Sequence, residues 1–253
     1  MYNKQRIERI FDLLKEKGSI SVNELTELFQ VSGATIRSDL AKMEKAGLII
    51  RAHGGAMMNS SLFRETLLTE RVHDDRKKLI AQKALEFVHE RDIILLDTGT
   101  TMVAFAEALA QSSIEKLTVF SNDLDVIHIL EEKENFSLTL LGGKVRNRFH
   151  YCYGPEMQSE LSNFHFTAVF LATSALHETY GLTTENTDLA SIKSHMISAA
   201  EKVILLADSS KIGHVHLRKF ASLSDIDTLI MDKNISADEE KKLRTEIQNL
   251  ILV

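Results

Sequence analysis

A single cysteine, Cys152, stands in a chain of 253 residues, which excludes an intrachain disulfide and fits a reducing compartment. An incidental or buried thiol is the expected role for it, ahead of a nucleophile. Long apolar runs are missing as well: none approaches the roughly 18 residues that a membrane span needs. The opening MYNKQRIERIFDLLKEKG is charged and amphipathic and lacks the continuous apolar stretch of a secretion signal. A cytoplasmic protein with no membrane partner is expected. Positive charge is not in excess either, the net charge being −6. His214-Val215-His216 has no cysteine companion and no HExxH, so no metal is expected, and nothing points to another cofactor. What remains is an ordinary globular composition, 44% hydrophobic and 26% charged, long enough for a small and a medium domain.

The charge is unevenly spread. Residues 1–56 carry nine Lys/Arg against seven Asp/Glu, a balance of +2, and the rest carries 21 against 29, a balance of −8. A slightly basic head on an acidic body suits a protein whose head alone touches phosphates. Within the head, Ile7, Ile10, Phe11 and Leu14 repeat at helical spacing and Gly18 stops the run. Ser21-Val22-Asn23-Glu24 reads as a capping box opening a second helix with an apolar stripe of Val22, Leu25, Leu28 and Phe29. Val31-Ser32-Gly33 makes a turn, Ser32 caps a third helix, and Ile36, Leu40 and Met43 form its buried face. This is a helix-turn-helix. The opposite face collects Ala34, Thr35, Arg37, Ser38, Ala41 and Lys42, small residues, hydroxyls and cations suited to a major groove. Gly47 to Ala56 then reads as a strand, a basic tip and a returning Gly pair, the outline of a wing that places Arg51, His53 and Gly54 at DNA.

Val31-Ser32, Thr35-Ile36-Arg37, Asp39-Leu40, Gly47-Leu48 and Arg51-Ala52-His53-Gly54-Gly55-Ala56 resemble the N-terminal signature of the DeoR family of bacterial transcriptional repressors. The family usually has Arg-Arg-Asp-Leu where this chain has Arg37-Ser38-Asp39-Leu40, and losing that cation is expected to lower phosphate affinity or shift sequence preference. Asp39 is expected to orient Arg37 or a neighbouring helix. The expected DNA-binding set is Ser32, Thr35, Arg37, Ser38, Lys42, Arg51, His53 and Gly54. Residues 58–75 contain no proline or glycine and read as a partly helical connector between a head over 1–57 and a body over 76–253.

In the body, apolar runs at Ile93–Leu96, Leu117–Phe120, Leu138–Leu141, Ala168–Ala172, Val203–Ala207 and Thr228–Met231 alternate with helical stretches at Asp75–Val88, Met102–Leu109, Leu124–Glu131 and Leu189–Ala200. That alternation predicts a Rossmann-like, mainly parallel α/β sheet, whose ligands bind at the carboxyl ends of the strands. Those ends read Asp97-Thr98-Gly99-Thr100-Thr101, Ser121-Asn122-Asp123, Gly142-Gly143-Lys144 and Asp208-Ser209-Ser210-Lys211. The first loop lacks the lysine of a P-loop and the spacing of G-x-G-x-x-G, so neither nucleotide fingerprint applies. Backbone donors, hydroxyls and ammonium groups suit a phosphate, and carboxylates suit sugar hydroxyls. The expected effector set is Asp97, Thr98, Gly99, Thr100, Thr101, Asn122, Gly142, Gly143, Lys144, Asp208 and Lys211. Arg146 to Tyr153, rich in rings and cations, is read either as a further contact to the effector or as a plain surface loop.

The same loops, with Gly154, Gly181-Leu182-Thr183 and Lys193, resemble the DeoR C-terminal sensor domain, whose fold is related to sugar-phosphate isomerases. The resemblance implies that the Gly/Thr loop holds the phosphate of a sensed sugar phosphate. Ala172 to His177 departs from the family's Gly-x-x-Gly-Ile-Asp, which implies an unusual effector. The reading is thus a repressor of a carbohydrate operon with three partners: double-stranded operator DNA, a phosphorylated sugar and a second copy of itself, as a dimer or tetramer. Two alternatives stay open. One is an isomerase-like enzyme using Asp97 and Asp208; the other is a DNA-binding protein whose body only oligomerises.

Overall fold

Ile10, Leu14, Leu25 and Ile36 are wholly excluded from solvent, and Leu40, Met43, Ile49 and Ala56 join them in one core. These residues come from one of two units into which the computed structural model divides, Met1–Glu70 and Arg71–Val253. Residues 6, 7, 9, 10, 13, 14, 19–45, 49–52, 54–58, 74–147 and 149–253 are described.

In the first unit, residues 6, 7, 9, 10, 13 and 14 are helical, and Ile7, Ile10 and Leu14 turn toward the core. Phe11, Gly18, Gly47-Leu48 and His53 lie outside the described residues, as does residues 59–73 of the connector. β1 (Ser19–Ser21) leads into α1 (Val22–Phe29) and α2 (Gly33–Lys45), followed by β2 (Ile49–Ala52) and β3 (Gly55–Met58). The expected capping box is present: the Glu24 amide donates to Ser21 Oγ at 3.1 Å and the Ser21 amide to Glu24 Oε2 at 2.9 Å. Of the expected stripe, Val22 and Leu25 are buried, but Leu28 is 57% exposed. At about 100° per residue Leu28 sits roughly a quarter-turn off the mean direction of Val22, Leu25 and Phe29, so it leaves the face it was assigned to. β2 and β3 form the wing hairpin, with Ala52 opposite Gly55. β1 adds a third strand, antiparallel to β3, to the expected two-stranded wing. A Cβ on Gly55 would stand 2.4 Å from the Ile20 carbonyl oxygen, so only glycine lets these strands come together.

The second unit begins with α3 (Asp75–Ala84), shorter than expected because a 3-10 turn at Leu85–Phe87 tightens its end. Then follow β4 (Ile93–Leu96), α4 (Thr100–Gln111), β5 (Thr118–Ser121), α5 (Leu124–Leu130), β6 (Ser137–Leu140), β7 (Lys144–Arg146), β8 (Tyr151–Tyr153), α6 (Pro155–Leu161), β9 (Ala168–Leu171), β10 (Ala175–His177), β11 (Gly181–Thr184), α7 (Thr187–Ser198), β12 (Val203–Leu206), β13 (Arg218–Ala221), β14 (Thr228–Met231), α8 (Ala237–Glu246) and β15 (Asn249–Leu252). Seven strands form one sheet in the order β15-β14-β12-β9-β4-β5-β6, every pair parallel. Side chains alternate between its faces. Ile94, Leu96, Val119, Phe170, Ile204 and Leu206 pack with α3, α4 and α5 residues such as Ile80, Phe105 and Val126. Leu95, Val169, Leu171, Leu205 and Leu229 pack with Met157, Ile192, Met196 and Leu243 from the helices of the opposite layer. Three features depart from the expected outline. β15 adds a seventh strand, β10-β11-β13 form a separate antiparallel sheet, and β7 and β8 form a hairpin where a loop was one reading.

Candidate functional site

On α2 the Ser32 hydroxyl caps the helix, accepting from the Thr35 amide at 3.2 Å. Ile36, Asp39, Leu40 and Met43 are buried, while Ala34, Arg37, Ser38, Ala41 and Lys42 are exposed and Thr35 half-buried. Asp39 does join a neighbouring helix: Arg6 Nε donates to its Oδ2 at 2.7 Å, both side chains being under a tenth exposed. The first helical segment is thereby tied to α2, leaving the cations Arg37 and Lys42 on the open face. Arg51, in the wing, lies 3.7 Å from Glu44 at the end of α2. Gly54 is exposed at the hairpin turn with φ of +83°, and its carbonyl accepts from the Val22 amide at 2.8 Å.

In the second unit the sheet grows from β4 toward β5 and β6 on one side and toward β9, β12, β14 and β15 on the other. The switch between β4 and β9 is where a crevice opens in such sheets. Asp97 ends β4 there. Its Oδ2 forms an ion pair with Lys193 of α7 and accepts from the Ala172 amide, just past β9, at 2.9 Å. Lys193 Nζ also donates to the Ala172 carbonyl at 2.8 Å and stands over the Phe220 ring. Asp97 Oδ1 is buried and has no hydrogen-bond partner among the described residues, and the same holds for Asn122 Oδ1 at the end of the adjacent β5. Asn122 is held by its Nδ2, which donates to the Cys152 carbonyl at 2.9 Å.

The Gly/Thr loop divides its donors. Asp123 Oδ2 accepts from the Thr98 hydroxyl at 2.6 Å and from the Gly99 amide at 3.1 Å, so these two groups fasten the loop to α5. Burial pushes the Asp123 carboxyl up to about 6, against the pull of the Thr98 and Gly99 hydrogen bonds. Gly99, at φ of +119° with open space where a Cβ would be, starts α4 with no side-chain cap. The first amides of α4, those of Thr100 and Thr101, face the helix entrance, where an anion is favoured. Lys77, on the first turn of α3 and only 4% exposed, donates from Nζ to Thr100 Oγ1 at 3.0 Å.

The loop after β12 reaches the same cations. Arg76 is paired to Asp74 at 2.5 Å and lies 3.9 Å from Asp208, while Lys211 lies 3.9 Å from the other Asp208 oxygen. Burial alone would raise the Asp208 carboxyl, but the Ser210 hydroxyl and the charges of Lys211, Lys77 and Arg76 together hold it below its usual range. The Arg76 hydrogen bond likewise depresses Asp74. Gly142 and Gly143, both exposed, lead to exposed Lys144 at the start of the hairpin. Residue by residue, the structure brings together Asp97 with Ala172, Thr100 with Lys77, and Asp208 with Lys211 and Arg76. Lys77, Arg76 and Asp123 are additions to the expected set, and Lys193 enters it through its pairing with Asp97. Asp123 had a signal, since it ends the Ser121-Asn122-Asp123 turn. Lys77 had none, because a lysine in a first helical turn reads as solvated. Cys152 is buried, and burial pushes its thiol up, away from nucleophilic use. Among the described residues no group of three His, Cys, Asp or Glu can hold a metal, and no helix is long and apolar enough to cross a membrane.

Two family models match this chain: the DeoR-like helix-turn-helix domain over residues 6–62 and the DeoR C terminal sensor domain over residues 72–233. A putative aga operon transcriptional repressor of Escherichia coli O157:H7 is 33% identical, over 98% of this chain and 93% of its own length. The HTH-type transcriptional repressor GlcR of Bacillus subtilis (strain 168) is 32% identical, over 92% and 90%. A lactose phosphotransferase system repressor of Streptococcus mutans serotype c is 34% identical, over 92% and 93%. Among solved structures, ribose 5 phosphate isomerase A from Neisseria gonorrhoeae aligns with 54% of this chain and 52% of its own, at 23% identity and a TM-score of 0.40.

Proposed function

The chain belongs to the DeoR family of DNA-binding transcriptional regulators, and from that premise we propose that it represses a carbohydrate operon and that a phosphorylated sugar, bound at the carboxyl edge of its parallel sheet, sets its hold on double-stranded operator DNA. Several of its relatives are named as repressors, among them those of the aga operon and the lactose phosphotransferase system. The observation that carries the sugar part is the pair of buried acceptors, Asp97 Oδ1 and Asn122 Oδ1, that have no donor among the described residues. A buried acceptor left unmet costs about 1–3 kcal/mol, and the hydroxyls of a polyol meet two at once. The phosphate goes to the Thr100 and Thr101 amides, the Thr100 hydroxyl and Lys77. Thr98, Gly99 and Asp123 shape that loop, and Asp208 and Lys211 close its far side with Arg76.

In this reading residues 1–57 are the DNA-binding head, 58–75 the connector and 76–253 the sensor. Ser32, Thr35, Arg37, Ser38 and Lys42 enter the major groove, and Arg51, His53 and Gly54 meet the backbone or minor groove from the wing. One head reads few bases, so a cytoplasmic dimer or tetramer pairs heads on a pseudo-palindromic operator. Isothermal titration with glucose 6-phosphate, galactose 6-phosphate, fructose 1-phosphate, fructose 6-phosphate and glucosamine 6-phosphate, each beside its free sugar, tests the sensor. At least one ester is expected to bind where its free sugar does not, with Lys77→Gln abolishing the difference. Binding that ignores the phosphate would contradict the assignment.

A further inference from the structure

The hairpin β7–β8 is laid directly against the loop that fastens the Gly/Thr turn. Tyr151 forms an antiparallel bridge with Asp123, the Cys152 amide donates to the Asn122 carbonyl at 2.7 Å, and within the hairpin Tyr151 stands opposite Arg146 and Tyr153 opposite Lys144. Side chains of directly opposed residues share a face. Asp123 turns its carboxylate to Thr98 and Gly99, so Tyr151 and Arg146 continue a row outward from the Gly/Thr loop on that same face. Tyr153 and Lys144 flank it two residues along. The charge of Asp97 is among the influences on the Tyr151 phenol, as that placement requires.

Arg146 is positioned but not neutralised. Its Nη1 donates to the Tyr151 hydroxyl at 2.8 Å, and its guanidinium lies 4.3 Å from the Phe149 ring centroid and 5.8 Å from that of Tyr151. Among the described residues no carboxylate pairs with it. Stacking and a phenol fix a guanidinium in place while leaving most of its donors for a guest. With strands roughly 4.8 Å apart, two spacings put the Arg146 backbone about 10 Å from Asp123. A six-carbon chain with a charged group at each end spans that interval. A cavity of about 130 Å³ lies on this flank, lined by Lys144, Tyr153, Gly154, Pro155, Gln158 and Asp188.

We propose that the hairpin face, with Arg146 poised by Tyr151, takes a second anionic group of the effector at the end remote from its phosphate, so that the sensed molecule is a doubly anionic sugar derivative. This rests on the sugar-phosphate reading of the sheet edge and narrows it to a bisphosphate or a phosphorylated sugar acid. Both sources share an anionic oxygen that matches the guanidinium fork.

The test titrates four probes, inorganic phosphate, fructose 6-phosphate, fructose 1,6-bisphosphate and 6-phosphogluconate, into the wild type, Arg146→Gln, Arg146→Lys, Tyr151→Phe and Lys77→Gln. The wild type is expected to bind the bisphosphate or the phosphorylated acid at least tenfold more tightly than fructose 6-phosphate, and the preferred one names the second group. Arg146→Gln should erase that preference while holding fructose 6-phosphate within about twofold, which also shows the variant is folded. Arg146→Lys and Tyr151→Phe should keep part of it. A wild type without preference for a second anion, or an Arg146→Gln variant weakened equally on all probes, overturns the inference and leaves the sugar-phosphate reading intact. If no phosphate ester binds the wild type, both fall together.

Discussion

Lys77 and Lys193 are both buried lysines, and their surroundings set different expectations for them. Lys193 is neutralised internally by Asp97, so deleting it strands a carboxylate in the core. Lys193→Met is expected to destabilise the chain by about 3–5 kcal/mol, and the double change Asp97→Leu/Lys193→Met by markedly less; urea unfolding of the three proteins measures this. Lys77 faces the Thr100 hydroxyl at the α4 entrance. Removing a charged donor from a bound phosphate costs about 1.5–3 kcal/mol. Lys77→Gln is therefore expected to weaken phosphate-ester binding roughly 10- to 100-fold. Asp123 carries the pH dependence. Its carboxyl is raised from 3.8 to about 6 in the folded chain, so between those values the native state keeps a proton that the unfolded state has released. Stability from this group is full below about 4 and is lost as pH rises through about 6, a span worth about 3 kcal/mol. Relative to Asp123→Asn, the wild type should thus lose stability from pH 4 to 6 and change little above. Asp74 and Asp208 act oppositely: their depressed carboxyls contribute above about 4 and lose that contribution as pH falls.

At the scale of elements, α2 divides its work between a buried edge and an open one. Arg37→Ala is expected to cost about 1–3 kcal/mol on the operator and little on random DNA, while Lys42→Ala should weaken both alike and flatten the salt slope. Equal losses for Arg37→Ala on both DNAs would contradict base reading by that residue. The wing depends on Gly55, and Gly55→Ala should disrupt the β1–β3 pairing and DNA binding together, seen as lost amide protection at Ile20 and Ala56. Elements that bury continuous apolar runs were legible in the sequence, among them β4, β9, β12 and β14, and so was the helix-turn-helix with its capping box. The hairpin β7–β8 was not, since Lys144-Val145-Arg146 is too short and mixed to show an alternation. Nor was β15, four residues on the sheet edge, or the sheet β10-β11-β13, whose strands are held by pairings distant in sequence. The candidate site divides the same way. Loops at strand ends announce themselves by glycine and threonine. Lys77 does not, because only the tertiary fold says that a helical lysine points inward, whereas Lys193 stands out only through the family resemblance.

For the molecule as a whole, the α3 helix that opens the second unit carries Arg76 and Lys77 on its first turn, and these meet the loop after β12 and the start of α4. In the proposed function an effector seated there engages the element next to the connector, and coupling to DNA must be reciprocal: whatever factor the sugar phosphate imposes on operator affinity, operator DNA imposes on sugar-phosphate affinity. The central claim is most directly tested by fluorescence anisotropy of the full chain on DNA upstream of its own gene and neighbouring operons, at fixed salt, titrated with phosphorylated sugars and their free counterparts. One phosphate ester should shift operator affinity several-fold, its free sugar should not, and Lys77→Gln should abolish the shift while still binding DNA. Operator binding that no phosphorylated sugar alters would contradict the account and leave the second unit an oligomerisation domain.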